Sequence, residues 1–194
     1  MAVKNITSPL DMDTIRDLEV GDQVAISGRI ITARDQVHAY LTTGGKAPVD
    51  LEGIPIYHCG PLCIKEHDAW RIVAAGPTTS MREEPFEPAI IRDYRIGAVM
   101  GKGGMGQKTL DAMQEYGCVY LHIVGGAAAF IAQSIKEIRD VYLLEFGRPE
   151  AMWDLVVKDL PALVTMDSHG KSLHARIEKQ SRGRLLQQKN SSRG

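Results

Sequence analysis

The stretch IGAVMGKGGMGQKTLDAMQEYGCVYLHIVGG, residues 96–126, decides the fold. It opens on a short apolar run, Ile96 to Met100, that stops at a glycine loop, Gly101 to Gly106. "QKTLDAMQEYG" then reads as a helix, and "CVYLHIVGG" as a second strand ending on a second glycine pair. "AAAFIAQSIKEI" follows as another helix, through Ile138. Strand, glycine loop, helix, repeated, favours parallel pairing with right-handed crossovers. The chain is therefore expected to be α/β, with a mixed, partly parallel sheet and flanking helices.

Working outward, "DMDTIRDLEVGD" predicts a short helix with aspartate capping and a Gly21 stop, and "QVAISGRIITA" alternates like a strand. "RDQVHAYLTTGG" predicts a helix ended by Gly44-Gly45. "GIPIYHCG" and "AWRIVAAG" predict two short strands, the second a buried one stopped by Gly76-Pro77. "FEPAIIRDYR" predicts a helix with an early proline. Beyond Ile138, "AMWDLVVKDLPALVTMDSHGKSLH" predicts strands joined by Pro161 and the "SHG" turn. From Arg176 onward there are six Lys or Arg and one acid. Residues 1–175 are expected to form one domain. Residues 176–194 are expected to be a basic polar tail, solvated and flexible, with a partner-docking arm as the sharper alternative.

The 194 residues are 44% hydrophobic and 24% charged, with a formal net charge of -1. That suits a compact soluble domain and argues against nucleic acid binding across the surface. No apolar run of about 18 residues suggests a membrane span. The N-terminus lacks the apolar core of a signal peptide, so the "NIT" at Asn5 carries little weight and a cytoplasmic chain is expected. Cys59, Cys63 and Cys118 do not make a disulfide framework. "HCGPLC" lacks a fourth ligand and tight paired spacing, so the cysteines are expected in the core and no metal site is expected.

The loop GKGGMG satisfies G-x-G-x-x-G between a strand and a helix, which raises a dinucleotide reading. That reading wants an acid at the end of the next strand, where this chain has "HIVGGAAA". No Ser or Thr follows Lys102 at the Walker spacing either. Glycine amides, a helix N-terminus and a mobile lysine suit a carboxylate at least as well as a phosphate.

In "AAGPTTSMR", Gly76-Pro77 fixes a turn that presents Thr78, Thr79 and Arg82. The plain alternative is that the threonines cap the next segment and Arg82 answers Glu83 and Glu84. In "TARDQVHAY", Arg34 and His38 stand four apart, on one face of the predicted helix. Arg34, Arg82 and Lys102 all fall at strand carboxyl ends, where open α/β folds gather ligands. Three cations and several hydroxyls around one crevice describe a site for a small dianion such as a dicarboxylate.

"SGRIITARDQVH", "IYHCGP", "AAGPTTSMR", "GKGGMG" and "VGGAAA", in this order, resemble the β subunit of the two-subunit iron–sulfur hydro-lyases. These are the class I fumarases and L-tartrate dehydratases, and the same unit forms the C-terminal domain of single-chain class I fumarases. The resemblance spans roughly residues 5 to 175. It implies a swivelling β/β/α domain and hydration of fumarate to L-malate, or dehydration of tartrate. It implies a [4Fe-4S] cluster held by a partner α subunit and not by this chain, with a homo-oligomer or heterotetramer expected. It implies Thr78 as the base, with His38 a second acid–base candidate, and Arg34, Arg82 and Lys102 as substrate ligands. A nucleotide-binding or non-catalytic module built on the Gly101–Gly106 loop is the reading from another class.

Overall fold

The computed structural model describes residues 2–191. In chain order its elements are β1 (Lys4–Ser8), α1 (Met12–Asp17), β2 (Gln23–Thr32), α2 (Asp35–Thr42), β3 (Ile56–Tyr57), β4 (Leu62–Glu66) and β5 (Ala69–Ala74). A 3-10 turn (Ser80–Glu83) leads to α3 (Glu87–Tyr94), β6 (Ala98–Gly101), α4 (Gln107–Tyr116), β7 (Val119–His122) and α5 (Ala128–Ser134). Then come β8 (Ile135–Tyr142), a second 3-10 turn (Leu144–Phe146), β9 (Met152–Met166) and α6 (Leu173–Ser191).

The expected mixed α/β sheet is present. Strands β1, β2, β3, β6 and β7 run parallel in that order. The last strand, β9, runs antiparallel to β7 on one side and to β2 on the other, so the ladder closes on itself. One buried cluster fills one face with Ile26, Ile30, Leu121, Trp153 and Leu155. The other face holds Ile31, Ile56, Val99, Tyr120 and Met152 under α2, α3 and α4. The alternation of Ile30 with Ile31, and of Tyr57 with Ile56, is the period of two expected of strands covered on both faces.

Gly28 shows why β2 can serve three neighbours. It sits at φ 100°, where the register with β9 shifts, and a Cβ there would stand 2.5 Å from the Ser8 carbonyl oxygen. Glycine lets β1 end against β2 at that point.

Four sequence expectations are corrected. The helix after Gly126 stops at Ser134, and Ile135–Tyr142 form β8 against β9. Ile135, Ile138 and Val141 face the core three apart because bulges fall between Ile135 and Glu137 and between Ile138 and Asp140. Bulges turned a period of two into one that imitates a helix. Pro161 does not join two strands but lies inside β9. It sits between the stretches paired to β8 and β7, where β9 has β2 alone as neighbour, a place strand prolines tolerate. Third, β5 is not a buried sheet strand. It forms a two-stranded hairpin with β4, and every second residue is exposed. Fourth, the "SHG" turn leads from β9 into helix α6 and not into another strand.

The boundary at residue 175 falls inside α6, whose residues from Ala175 to Leu185 are exposed. No helix among the described residues is long and apolar enough to cross a membrane.

Trp153 joins the β4–β5 hairpin to the main sheet. It is fully buried, meets Trp70 edge to face at 5.3 Å and donates its indole N–H to the Arg148 carbonyl at 2.9 Å. Trp153→Ala is expected to cost about 3–5 kcal/mol, read from a denaturant midpoint. Phe130→Ala, at a side chain that is mostly exposed, is expected to change stability by about 0.5 kcal/mol or less.

Candidate active site at the strand ends

The register of the parallel ladder builds the site. Thr32, Tyr57, Met100 and Leu121 share one row across β2, β3, β6 and β7. Two residues further along each chain, at the carboxyl ends, come Arg34, Cys59, Lys102 and Ile123. The segment Pro77–Ser80 is wedged between two of these ends. Thr78 N donates to the His58 carbonyl at 2.7 Å, Lys102 N to the Thr78 carbonyl at 3.2 Å, and Ser80 N to the Lys102 carbonyl at 3.0 Å. Cys59 bridges Pro77 antiparallel, and Thr79 bridges Lys102 in parallel. The rim therefore runs Arg34, Cys59, Thr78, Lys102. With strands about 4.8 Å apart, Arg34 and Lys102 stand about 14 Å apart at the backbone, a span two long side chains can close upon.

The rim side chains differ in their partners. Thr78 Oγ1 donates to the His58 carbonyl at 2.9 Å and is half-buried. Arg34 lies against Gly60, where a Cβ would come within 2.6 Å of its Nη1, and pairs with Glu150 at 3.1 Å. Arg82, about half exposed, is paired through Nη2 with Asp35 at the start of α2. Lys102 is half-buried and has no ion pair among the described residues. Thr79 is exposed beside it, its methyl near Gly103.

His38 does not share a face with Arg34. Helix α2 begins at Asp35, so Arg34 is its extended N-cap and the four-residue face argument does not reach it. Arg34 surfaces, whereas His38 is 1% exposed and points into the interior. There His38 Nε2 lies 3.1 Å from Glu87 Oε2, which also lies 3.0 Å from His58 Nε2.

The helix N-terminus behind the glycine loop is filled from within. Glu84 accepts from Gly106 N at 2.7 Å, from Thr109 N at 3.2 Å and from the Thr109 hydroxyl at 2.7 Å. A carboxylate of this chain holds the place that a ligand phosphate or carboxylate was expected to take. That removes the seat of the dinucleotide reading, and it leaves Lys102 as the loop's contribution to an anion.

Buried acids and histidines tune the ground beneath the rim. Burial opposes the charge on Glu87, but His58 and His38 outweigh it and hold the carboxyl at about 2. Burial would lower His38, yet the adjoining Glu87 carboxylate raises it to about 8. Burial lowers His58. Burial, with the neighbouring Asp35 carboxylate, raises Glu83 to about 8. Sequence reasoning missed Glu83, Glu87, His58, Ser80 and Tyr120. The available signal was the pair of acids four apart, Glu83 and Glu87, at the entry to an early-proline helix.

The cysteines are in the core, as expected. Cys59 and Cys63 belong to the cluster on one face of the sheet and Cys118 to the other. Burial pushes the Cys59 thiol up to about 12 and Cys63 to about 11, and raises Cys118 well above its ordinary value.

Comparison with known proteins gives this geometry its lineage. The family model for the fumarase C-terminus matches residues 3–177. The chain is 55% identical over 186 residues to the Geobacillus stearothermophilus protein named "Putative fumarate hydratase class I", covering 95% of this chain and 36% of that protein. It is 43% identical over 171 residues to the Methanocaldococcus jannaschii protein named "Putative L(+)-tartrate dehydratase subunit beta", covering 85% of this chain and 88% of that one. It is 37% identical over 178 residues to the "L(+)-tartrate dehydratase subunit beta" of Escherichia coli K12, covering 91% and 89%. The chain thus spans about a third of the first relative and nearly nine-tenths of the other two. With the model match running from β1 into α6, across every strand that builds the rim, this chain belongs to the fumarase C-terminus family.

Proposed function

We propose that this chain is the β subunit of a hydro-lyase that interconverts fumarate and L-malate, and that it supplies the groups that grip the dicarboxylate. The observation that carries the reading is the Pro77–Ser80 wedge, which sets Thr78 between Arg34 and Lys102 on one rim. The 55% identity to a protein named for class I fumarate hydratase favours fumarate. Dehydration of L(+)-tartrate is the second reading, favoured by the two β-subunit relatives that the chain matches along most of their length.

Each residue has a chemical task. Arg82 engages Asp35 through one nitrogen, which leaves another edge of the guanidinium for a carboxylate. Arg34 and Lys102 offer positive charge on either side of Thr78. Thr78 is the base for the carbon-bound proton. Its hydroxyl now donates to the His58 carbonyl, so acting as a base requires it first to lose that proton. The neighbouring cations favour the alkoxide and lower that cost.

The iron–sulfur cluster implied by the family resemblance does not fit this chain's own thiols. They are buried on opposite faces of the sheet, and burial disfavours the thiolates that clusters need. The cluster, which supplies a Lewis acid for the substrate hydroxyl, therefore belongs in this proposal to a partner α subunit. Buried free thiols also suit a reducing, cytoplasmic setting.

The chain alone is expected to be inactive, with turnover appearing on reconstitution with a cluster-bearing partner, assayed with malate and tartrate side by side. Cluster absorbance on the isolated chain that is lost on replacing Cys59 would overturn the division of labour. Thr78→Ala is expected to lower kcat by about 10²–10⁴-fold with substrate binding nearly intact, and Thr79→Ala to act more mildly. Reversed effects would move the base by one residue. Arg82→Lys keeps the charge but loses the fork that serves Asp35 and substrate together. A KM raised by about ten- to a hundredfold is expected, and unchanged kinetics would make Arg82 a surface residue.

A further inference from the structure

Beneath the rim runs a chain of buried polar groups that the chemistry above leaves unused. It starts at the Arg34 carbonyl, 2.9 Å from His38 Nδ1. His38 Nε2 and His58 Nε2 both meet Glu87 Oε2, at 3.1 and 3.0 Å. His58 Nδ1 lies 2.9 Å from Ser80 Oγ, which lies 2.8 Å from the Tyr120 hydroxyl. Gly104 N donates to that hydroxyl at 3.3 Å. His38, His58, Ser80, Glu87 and Tyr120 are all buried, none more than 1% exposed.

The direction of each link follows from what its atoms can do. A carbonyl only accepts, so His38 Nδ1 carries a hydrogen. An ionised carboxylate only accepts, so both Nε2 atoms carry hydrogens. His38 is then an imidazolium. His58 is neutral, and its Nδ1 accepts from Ser80. Ser80 accepts from Tyr120, and Tyr120 accepts from Gly104. Each link then pairs one donor with one acceptor, Glu87 Oε1 alone of the carboxylate's oxygens has no hydrogen-bond partner among the described residues, and the imidazolium balances the carboxylate. The trio of His38, His58 and Glu87 also has the donor types of a metal site. However, each Nε2 stands at hydrogen-bond distance from Glu87 Oε2, so the three groups are already paired with one another.

We propose that His38, Glu87, His58, Ser80 and Tyr120 are positioning residues, a directional hydrogen-bond relay that holds the Arg34, Thr78–Arg82 and Lys102 loops at fixed separation and is completed by the imidazolium of His38. Its three attachment points are the Arg34 carbonyl, the Ser80 hydroxyl and the Gly104 amide, one on each loop. Gly101 is shaped to it, because a Cβ there would collide with the Ser80 hydroxyl. The relay's role in catalysis rests on the dicarboxylate reading of the rim, but its protonation pattern does not.

Several groups face His38. They are Glu87 from α3, Glu83 from the 3-10 turn with Oε2 3.7 Å from Nδ1, His58 from the end of β3, and Arg34 and Asp35 from the start of its own helix. His38 is held at about 8, above its ordinary value, mainly against burial by Glu87. A raised histidine stabilises the fold fully below pH 6.5, and this contribution is lost as pH rises through 8. Glu83, also raised to about 8, acts in the same sense. Above that pH the relay opens at its Arg34 end, and the ground under the cations becomes more negative. Affinity for a dianion is therefore expected to fall.

The test is ¹⁵N-histidine NMR on the full chain, with fumarate titrations read by amide shifts. At pH 7, His38 is expected to carry two ring protons and His58 only the one on Nε2. The fumarate dissociation constant is expected to rise about tenfold between pH 7 and 9, a dependence kept in Glu83→Gln, where His38 titrates without Glu83, and lost when His38→Gln is added to Glu83→Gln. Tyr120→Phe removes one oxygen and is expected to shift the Gly104 and Lys102 amides and weaken fumarate about tenfold. A single ring proton on His38 at pH 7, a stoichiometric metal ion, unmoved Gly104 and Lys102 amides, or a pH dependence that survives in the variant carrying both Glu83→Gln and His38→Gln would each overturn the relay. If ring protons and amide shifts are as assigned but neither the chain nor its reconstituted complex binds fumarate, the relay stands and the dicarboxylate reading falls.

Discussion

Three backbone hydrogen bonds hold the molecule's chemistry in place. Through them the Pro77–Ser80 segment takes the position of an extra strand between the end of β3 and the end of β6. Remove that wedge and Thr78 has no fixed relation to Lys102, while the Ser80 hydroxyl no longer lies over His58. The wedge is possible because β3 is only two residues long and its last bond to β6 runs from His58 N to the Met100 carbonyl. Proline suits its first position, where Pro77 meets Cys59 as a single bridge and not as part of a continuing ladder.

Much of this was legible in the sequence. The βαβα alternation from Ile96 to Gly126 gave the parallel core, because glycine stops and apolar runs coincide there with real strand ends. The positions of the three cations at strand ends were readable too, Arg82 and Lys102 from the Gly76-Pro77 turn and the Gly101–Gly106 loop, and Arg34 from the end of the alternating run that forms β2. What stayed hidden depended on distant partners. Strand β8 took a helical period from bulges that only β9 imposes. Glu87 looked like an ordinary first-turn acid, and nothing local says that two histidines, 49 and 29 positions earlier, converge on it. His38 was placed beside Arg34 by a helical spacing that fails because the helix starts one residue late.

The glycine loop shows how a motif can be right in geometry and wrong in use. It does link a strand to a helix, and the amide that opens the helix, Gly106 N, does bind an anion. The anion is Glu84, contributed by the turn that carries Arg82. The helix dipole is thus spent on fastening the Arg82 turn to α4, so that Arg82 and Lys102 are braced against the same helix end.

The closing strand has a consequence for how the protein is made. β9 lies near the C-terminus, yet it pairs with β2 along Gln23–Ile31. Some 120 to 140 residues separate the partners, and at ribosomal rates of about 5–20 residues per second that is a wait of roughly 6–28 s. Until β9 emerges, one edge of β2 has no partner. Non-local pairing of this kind is slow and exposes strand edges to other chains. The nascent polypeptide is therefore a natural client for chaperones during the interval in which its first strands wait for its last.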